Sequence, residues 1–186
     1  MANILGINAF HADASAVLLK DGVLVGAIAE ERLNRVKHFA GFPSMAIRKL
    51  LEMGGLTVGE LDHIAIGRDA KANLTDKIAF SLQNLTRISK LARQRLENRA
   101  NIKDIPELLA QACGVSRDAV KARVHHVEHH LCHAASTYLP SGFDRAAILS
   151  IDGFGDFAST VTAIGEGDRF KVLDRILFPH SLGVFY

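Results

Sequence analysis

The chain has 186 residues, 48% apolar and 23% charged, with a formal net charge of +2. That length builds one well-packed domain or part of a larger protein, and the charge gives no general argument for nucleic-acid binding. Two cysteines, Cys113 and Cys132, are too few for a disulfide framework. No run is long and apolar enough to span a bilayer, and the N-terminus lacks a signal-peptide pattern. A cytoplasmic protein with reduced thiols and no membrane or nucleic-acid partner is expected.

In chain order, Asn3 to Asn8 and Ser15 to Lys20 read as strands, and Asp21-Gly22 as a tight hairpin turn into a third, Val23 to Glu30. A polar loop follows, Glu31 to Gly41. Pro43 suits an early helical position, and Met45, Ile47, Leu50 and Leu51 support a helix ending at Gly54-Gly55. His63 to Gly67 is a short strand. From Asn73 to Ala100, Leu74, Ile78, Leu82, Leu85, Ile88, Leu91 and Leu96 fit an amphipathic helix or helix pair. The basic residues Arg87, Lys90, Arg93, Arg95, Arg99 and Lys103 read as a solvated face there, with an anion- or partner-binding surface as the alternative. Asp104 with Pro106 starts another helix, to Cys113-Gly114. Ala122 to Val127 resembles a strand and Glu128 to Tyr138 a helix. Arg145 to Ile151, Ser159 to Ile164 and Phe170 to Leu177 read as three more strands. The apolar C-terminus, Phe178 to Tyr186, is expected to be a truncation rather than a natural end.

That last group repeats the first. A shift of 144 aligns Ile4–Val17 with Ile148–Val161 without a gap, and seven of fourteen positions are identical, among them Phe10/Phe154 and Ser15/Ser159. Asn8 faces Asp152. Such a repeat bears on the fold before any single element does. The fold class expected is α/β, the duplicated actin-like ATPase (ribonuclease H-like) fold. Residues 1–143 are the first half, with a helical insertion at about 73–112, and 144–186 open a truncated second half. In that superfamily the turns after each first strand, here Asn8–Asp13 and Asp152–Asp156, hold phosphate.

Five of the nine histidines lie between His125 and His133. On a helix beginning near Glu128, His129 and His133 are four apart and share a face, a spacing that suits two ligands of one divalent ion. His130 points roughly 100° away. Asp152, at a strand end, is positioned to add a carboxylate. Two histidines and a carboxylate suit iron(II), zinc or manganese; the same histidines could instead cap or coat a helix. His125-His126-Val127-Glu128-His129 also matches an inverted zinc-peptidase motif, but Ala122 to Val127 is strand-like, which places the two histidines on different elements. The glycines of Asp152-Gly153-Phe154-Gly155-Asp156 let backbone N–H groups approach a phosphate. His11 and Asp13, two apart in the first turn, could act as acid, base or anchor, or form an ordinary polar turn. Residues Glu30 to Pro43 read by spacing as a solvated loop, in which Arg35, Lys37 and His38 could bind an anion.

Four stretches together resemble the N-terminal part of the O-carbamoyltransferases that include nodulation-factor and antibiotic-tailoring enzymes. They are Ile4–Asn8 with His11–Ala16, Glu30–Pro43, His129–Ser136 and Asp152–Asp156; Pro179-His180-Ser181-Leu182-Gly183 continues the match. The resemblance implies a metal-dependent transferase that makes a carbamoyl-adenylate from carbamoyl phosphate and ATP. The carbamoyl group then passes to a hydroxyl of a small-molecule acceptor. It implies that His129, His133 and Asp152 hold the ion against the adenylate phosphate, helped by the Gly153 and Gly155 backbone. His11 is then the candidate to activate the hydroxyl, with Asp13 supporting it, and Lys37 and His38 are candidates for contacting acceptor or carbamoyl group. A further acidic ligand, most of the adenosine pocket and the activating domain lie outside these residues. The 186-residue chain alone is therefore expected to be inactive and to expose an apolar face that invites homodimers. The alternatives are a threonylcarbamoyl transferase acting on tRNA adenosine and a non-catalytic actin-like nucleotide-binding module.

Overall fold

The computed structural model describes residues 2–83 and 104–185. Among them the chain runs β1 (Asn3–Asn8), β2 (Ser15–Lys20), β3 (Val23–Ala29), α1 (Glu31–Asn34), α2 (Ser44–Gly54), β4 (His63–Ile66) and α3 (Leu74–Gln83). After residue 103 come α4 (Ile105–Cys113), β5 (Arg123–His126), α5 (His129–Tyr138), β6 (Arg145–Gly155), β7 (Ala158–Glu166) and β8 (Arg169–Leu177). The expected helix over 73–100 is present to Gln83; the rest of that expectation, with all six basic residues named for its face, lies outside the described residues. No described helix is long and apolar enough to cross a membrane.

Two compact units result. One takes in the chain up to Ile66 and the segment ending at His126; the other begins at Gly67 and resumes at Val127.

The first unit is built on a five-stranded sheet of order β3-β2-β1-β4-β5. Strands β1 to β3 form an antiparallel meander, while β4 pairs parallel to β1 and β5 parallel to β4. Asp21 and Gly22 both take positive φ, 53° and 79°, the condition for the two-residue hairpin expected there. Helix α2 buries Ala46, Ile47, Leu50 and Leu51 against Leu5, Ile7 and Leu18. Each fully buried Leu or Ile contributes about 1.5–3 kcal/mol. The helix stops at Gly55, whose φ of 60° turns its N–H back onto the Leu51 and Glu52 carbonyls.

The stretch read as a solvated loop differs from that expectation at its start. Glu30 is only 3% exposed, and its two carboxylate oxygens accept from the N–H groups of Met45 (3.0 Å) and Ala46 (2.8 Å). These are orphan donors of the first turn of α2, which Pro43 at the N-cap cannot serve. Glu31 to Asn34 then close a single helical turn before the chain turns at Arg35, φ 62°.

The second unit carries the antiparallel sheet β6-β7-β8 with α5 packed on β6 and β7. Ala134 and Tyr138 meet Ile148 and Ala163 in a small core. The Tyr138 hydroxyl bonds the carbonyls of Asp144 and Gly167, each at 3.2 Å. At the other end of α5 the Glu128 carboxylate accepts from the His130 (3.1 Å) and Leu131 (3.0 Å) N–H groups. Phe80 of α3 packs edge-on against Phe157 and Phe178.

The two meanders show the repeat in three dimensions, with one inversion. Leu5 and Ile7 are 0% and 4% exposed, whereas their identical counterparts Leu149 and Ile151 are 65% and 43% exposed. The difference follows from which helix covers each sheet. In the first unit α2, which follows β3, lies over the Leu5 face; in the second, α5, which precedes β6, lies over the Ile148 face.

Candidate metal centre

Helix α5 and strand β6 bring together His129, His133 and Asp152. The four-residue spacing stacks the two imidazoles one turn apart, with Nε2 atoms 3.0 Å from each other. Asp152 Oδ2 lies 2.7 Å from His129 Nε2 and 3.8 Å from His133 Nε2. One ligand atom from each residue lies within 4.8 Å of the others, and no other group of three such residues occurs among the described residues.

The donor set fits a divalent cation. His129 Nε2 lies within hydrogen-bond distance of both Asp152 Oδ2 and His133 Nε2, and when unprotonated these three atoms all present lone pairs to one point. A cation with nitrogen and carboxylate preference satisfies all three together. The His129 side chain is 19% exposed, Asp152 39% and His133 51%, which leaves coordination positions open on the His133 side.

The electrostatics are consistent with binding. Burial, and then the neighbouring His129, lower the His133 pKa and favour the unprotonated, ligating form. Burial opposes the charged form of Asp152, but the hydrogen bonds from His129 and the Gly153 N–H outweigh it and hold the carboxyl below its ordinary value.

The two motif glycines have distinct surroundings. The Gly153 N–H donates to its neighbour Asp152 Oδ1 at 2.6 Å. A β-carbon at Gly155 would overlap the His129 ring, whereas at Gly153 the nearest atom would be Val184 Cγ2 at 3.9 Å. Asp156, in the left-handed region at φ 49°, accepts from the N–H groups of Asp69 (2.8 Å) and His129 (3.0 Å). The closing segment folds back on the same turn: Ser181 Oγ donates to the carbonyls of Asp152 (3.1 Å) and Gly153 (2.8 Å).

Other histidines of the cluster lie elsewhere. His125 sits on β5 and pairs with His63 of β4, Nε2 to Nδ1 at 3.0 Å. Arg123 registers opposite His63, and these two imidazoles gather no third ligand among the described residues. His125 and His126 are both on β5 while His129 opens α5, so His125 and His129, the two histidines of the peptidase motif, do not share the helix it would require. His130 is fully buried.

In the first unit the structure pairs Asp13 with His38, Oδ1 to Nδ1 at 3.0 Å. Phe10, Asp13, Arg35 and His38 all take positive φ, between 54° and 65°. Such strain gathers where the surrounding structure over-determines the backbone. Backbone bonds from Phe10 to Gly41 (3.3 Å) and Ala14 to Phe39 (2.9 Å) tie the two loops together. His11 and Lys37 flank this pair in sequence, and both lie on the same two loops. The pairing of Asp13 with His38 spans 25 residues, which no local motif announces.

Fold and site together define an actin-like α/β protein with a histidine–carboxylate cluster. The superposition on the solved structure of YeaZ from Pseudomonas aeruginosa supports that fold, with a TM-score of 0.52 over 96% of this chain and 68% of that one, at 14% identity. The sequence model of the carbamoyltransferase N-terminus matches residues 3–186, and the chain belongs to that family. It is 37% identical over 181 residues to nodulation protein NolNO of Sinorhizobium fredii, covering 96% of this chain and 25% of that protein. It is 35% identical over 190 residues to protein sll1178 of Synechocystis sp., covering 100% of this chain and 31% of the relative. The chain thus spans between a quarter and a third of the length of these relatives.

Proposed function

We propose that this chain is the metal-binding part of an O-carbamoyltransferase, and that His129, His133 and Asp152 hold a divalent ion of the iron, zinc or manganese type. The observation that carries the reading is the convergence of His129 Nε2, His133 Nε2 and Asp152 Oδ2 in a chain of the carbamoyltransferase N-terminal family. The substrates are carbamoyl phosphate, ATP and a small molecule bearing a hydroxyl. When bound, the ion supplies Lewis acidity that stabilises negative charge on a phosphate leaving group. The chain's own residues do the rest. Gly153 adds no side chain to the Asp152 turn, so that backbone there can approach an adenylate phosphate, and Gly155 leaves room for the His129 ring. Asp13 orients His38, and this pair or His11 takes the proton of the acceptor hydroxyl as the new ester bond forms. Lys37 contacts the carbamoyl group or the acceptor. Residues 1–143 form the first half of the duplicated fold and 144–186 the opening of the second.

The alternatives, transfer of a threonylcarbamoyl group to tRNA adenosine or nucleotide binding without catalysis, share the fold. The test uses metal analysis of the purified chain and carbamoyl transfer by the full-length protein. The wild type retains about one divalent ion per chain, as a single site of two histidines and one carboxylate requires. The double substitution His129→Ala, His133→Ala loses the ion, and the full-length protein carrying it loses carbamoyl transfer from carbamoyl phosphate and ATP. Full transfer by that variant would overturn the proposal.

A further inference from the structure

We infer that His130 is a positioning residue for the metal centre, acting through Ser150; the inference rests on the metal reading above. His130 is completely buried and points off the ligand face of α5. Its Nδ1 lies 2.8 Å from Ser150 Oγ, while its Nε2 has no hydrogen-bond partner among the described residues. A buried polar atom left without a partner costs stability, which an apolar side chain of similar size would avoid. The bond to Ser150 is the side-chain hydrogen bond that an imidazole supplies here and a leucine does not; the ring also meets the His129 and His133 rings edge-on, with centroids 5.5 and 6.1 Å away, contacts that Ser150→Ala leaves in place.

The place of that bond explains its use. Ser150 lies on β6 two residues before Asp152, so both side chains project from the same face of the strand. His130 directly follows His129 on α5. The pin therefore joins the ligand-bearing helix to the ligand-bearing strand, one residue from one ligand and two from another. On the far side of Asp152, Asp156 Oδ2 accepts from the His129 N–H at 3.0 Å. Asp152 thus sits between two points at which strand and helix are tied, and the 2.7 Å separation of His129 Nε2 from Asp152 Oδ2 is set by rigid attachments on both sides. A metal site whose ligands come from two elements keeps its affinity only while those elements hold their spacing.

The test titrates the full 186-residue chain with Co(II), read by calorimetry and by the visible d–d bands, which report coordination geometry. Four variants are compared with wild type: Ser150→Ala, His130→Leu, His130→Asn and, as a ligand control, His129→Ala. Asparagine places a polar atom close to the position of Nδ1 and so can remake the bond to Ser150. Ser150→Ala and His130→Leu weaken Co(II) binding about 10- to 100-fold, the usual effect of losing support behind a ligand, and shift the d–d bands. His130→Asn restores binding to within about threefold of wild type, a smaller loss than that range. Thermal melting of the metal-free proteins shows which variants fold, and Ser150→Ala, the smaller change, carries the test if His130→Leu does not. Wild-type affinity and bands in a folded Ser150→Ala chain overturn the positioning role while leaving the site intact. Failure of wild type to bind Co(II), or undiminished binding by His129→Ala, overturns the metal site itself and the pin with it.

Discussion

Gly155 packs against the imidazole of His129 with no room for a β-carbon between them. The glycine is required there by the ligand's ring. Gly155→Ala must push His129 out of line with Asp152 or move the β6–β7 turn. Divalent-ion affinity should fall by about 10-fold or more, the loss expected when a ligand's supporting contact is removed. Gly153→Ala meets only Val184 Cγ2 at 3.9 Å and should leave metal affinity nearly unchanged. Calorimetric titration of both variants checks the contrast, and equal effects would mean that the ring does not set the site.

What the sequence disclosed and what it hid separate along local and tertiary lines. The His129–His133 spacing and the repeated meander are local, and both were readable. Even the turn geometry repeats: Asp13 and Phe157, 144 positions apart, are unlike residues that both take positive φ, 65° and 79°. Partners chosen by tertiary packing were not readable. Glu30 serves a helix that begins some fifteen residues on, Asp13 meets His38, and His130 finds Ser150 across the α5–β6 interface. Nor could a pattern of apolar residues say which face of each meander is covered, because the alternation is the same in both copies and the covering helix comes from opposite ends.

Glu30 illustrates the cost of losing such a partner. Glu30→Ala removes the acceptor for two N–H groups at the start of α2 and leaves that of Ala46 buried and that of Met45 part-buried. A loss of about 1–3 kcal/mol is expected, seen as a lower urea midpoint. Glu30→Gln retains one acceptor oxygen and should recover part of it. Glu31→Ala, which removes an exposed acceptor of the His38 N–H at 3.3 Å rather than a cap of α2, serves as the comparison.

The Asp13–His38 pair allows chemistry to be separated from folding. Their side chains are 61% and 77% exposed, and exposed ion pairs contribute under about 1 kcal/mol. Asp13→Asn and His38→Gln should therefore leave the melting temperature of the chain almost unmoved. In the full-length protein the same changes should depress carbamoyl transfer at saturating substrates. A transfer rate untouched by both would remove this pair from the proposed proton path and leave His11 as the candidate.

Identical residues in the two meanders should respond oppositely. Leu5→Ala empties a filled site beneath α2 and should cost about 2–5 kcal/mol. Leu149→Ser with Ile151→Thr changes residues already facing out, so folding should persist. Any self-association of the 186-residue chain through this face should diminish, because contiguous exposed apolar surface drives association. Sedimentation velocity beside thermal denaturation reads both effects. Unchanged association in the double variant would place the contact elsewhere on the chain.

Cys132 offers a pH-dependent check on the packing around α5. Burial first, and then the carboxylates of Glu128 and Asp156, push its thiol up to about 11, and its sulfur packs on Gly67. A raised value means that the thiol persists to higher pH, and only the thiolate attacks an alkylating reagent. At pH 8 an ordinary cysteine is roughly a quarter ionised; a group titrating near 11 is ionised to about one part in a thousand. From the thiolate fractions alone, alkylation of Cys132 at pH 8 should then run about two hundred times slower in the folded chain than in urea, and should accelerate as the pH approaches 11. Mass spectrometry of the labelled peptides measures it site by site. Reaction at pH 8 as fast as in the unfolded chain would contradict this packing of α5, and with it the attachment on which the spacing of His129 and His133 from Asp152 depends.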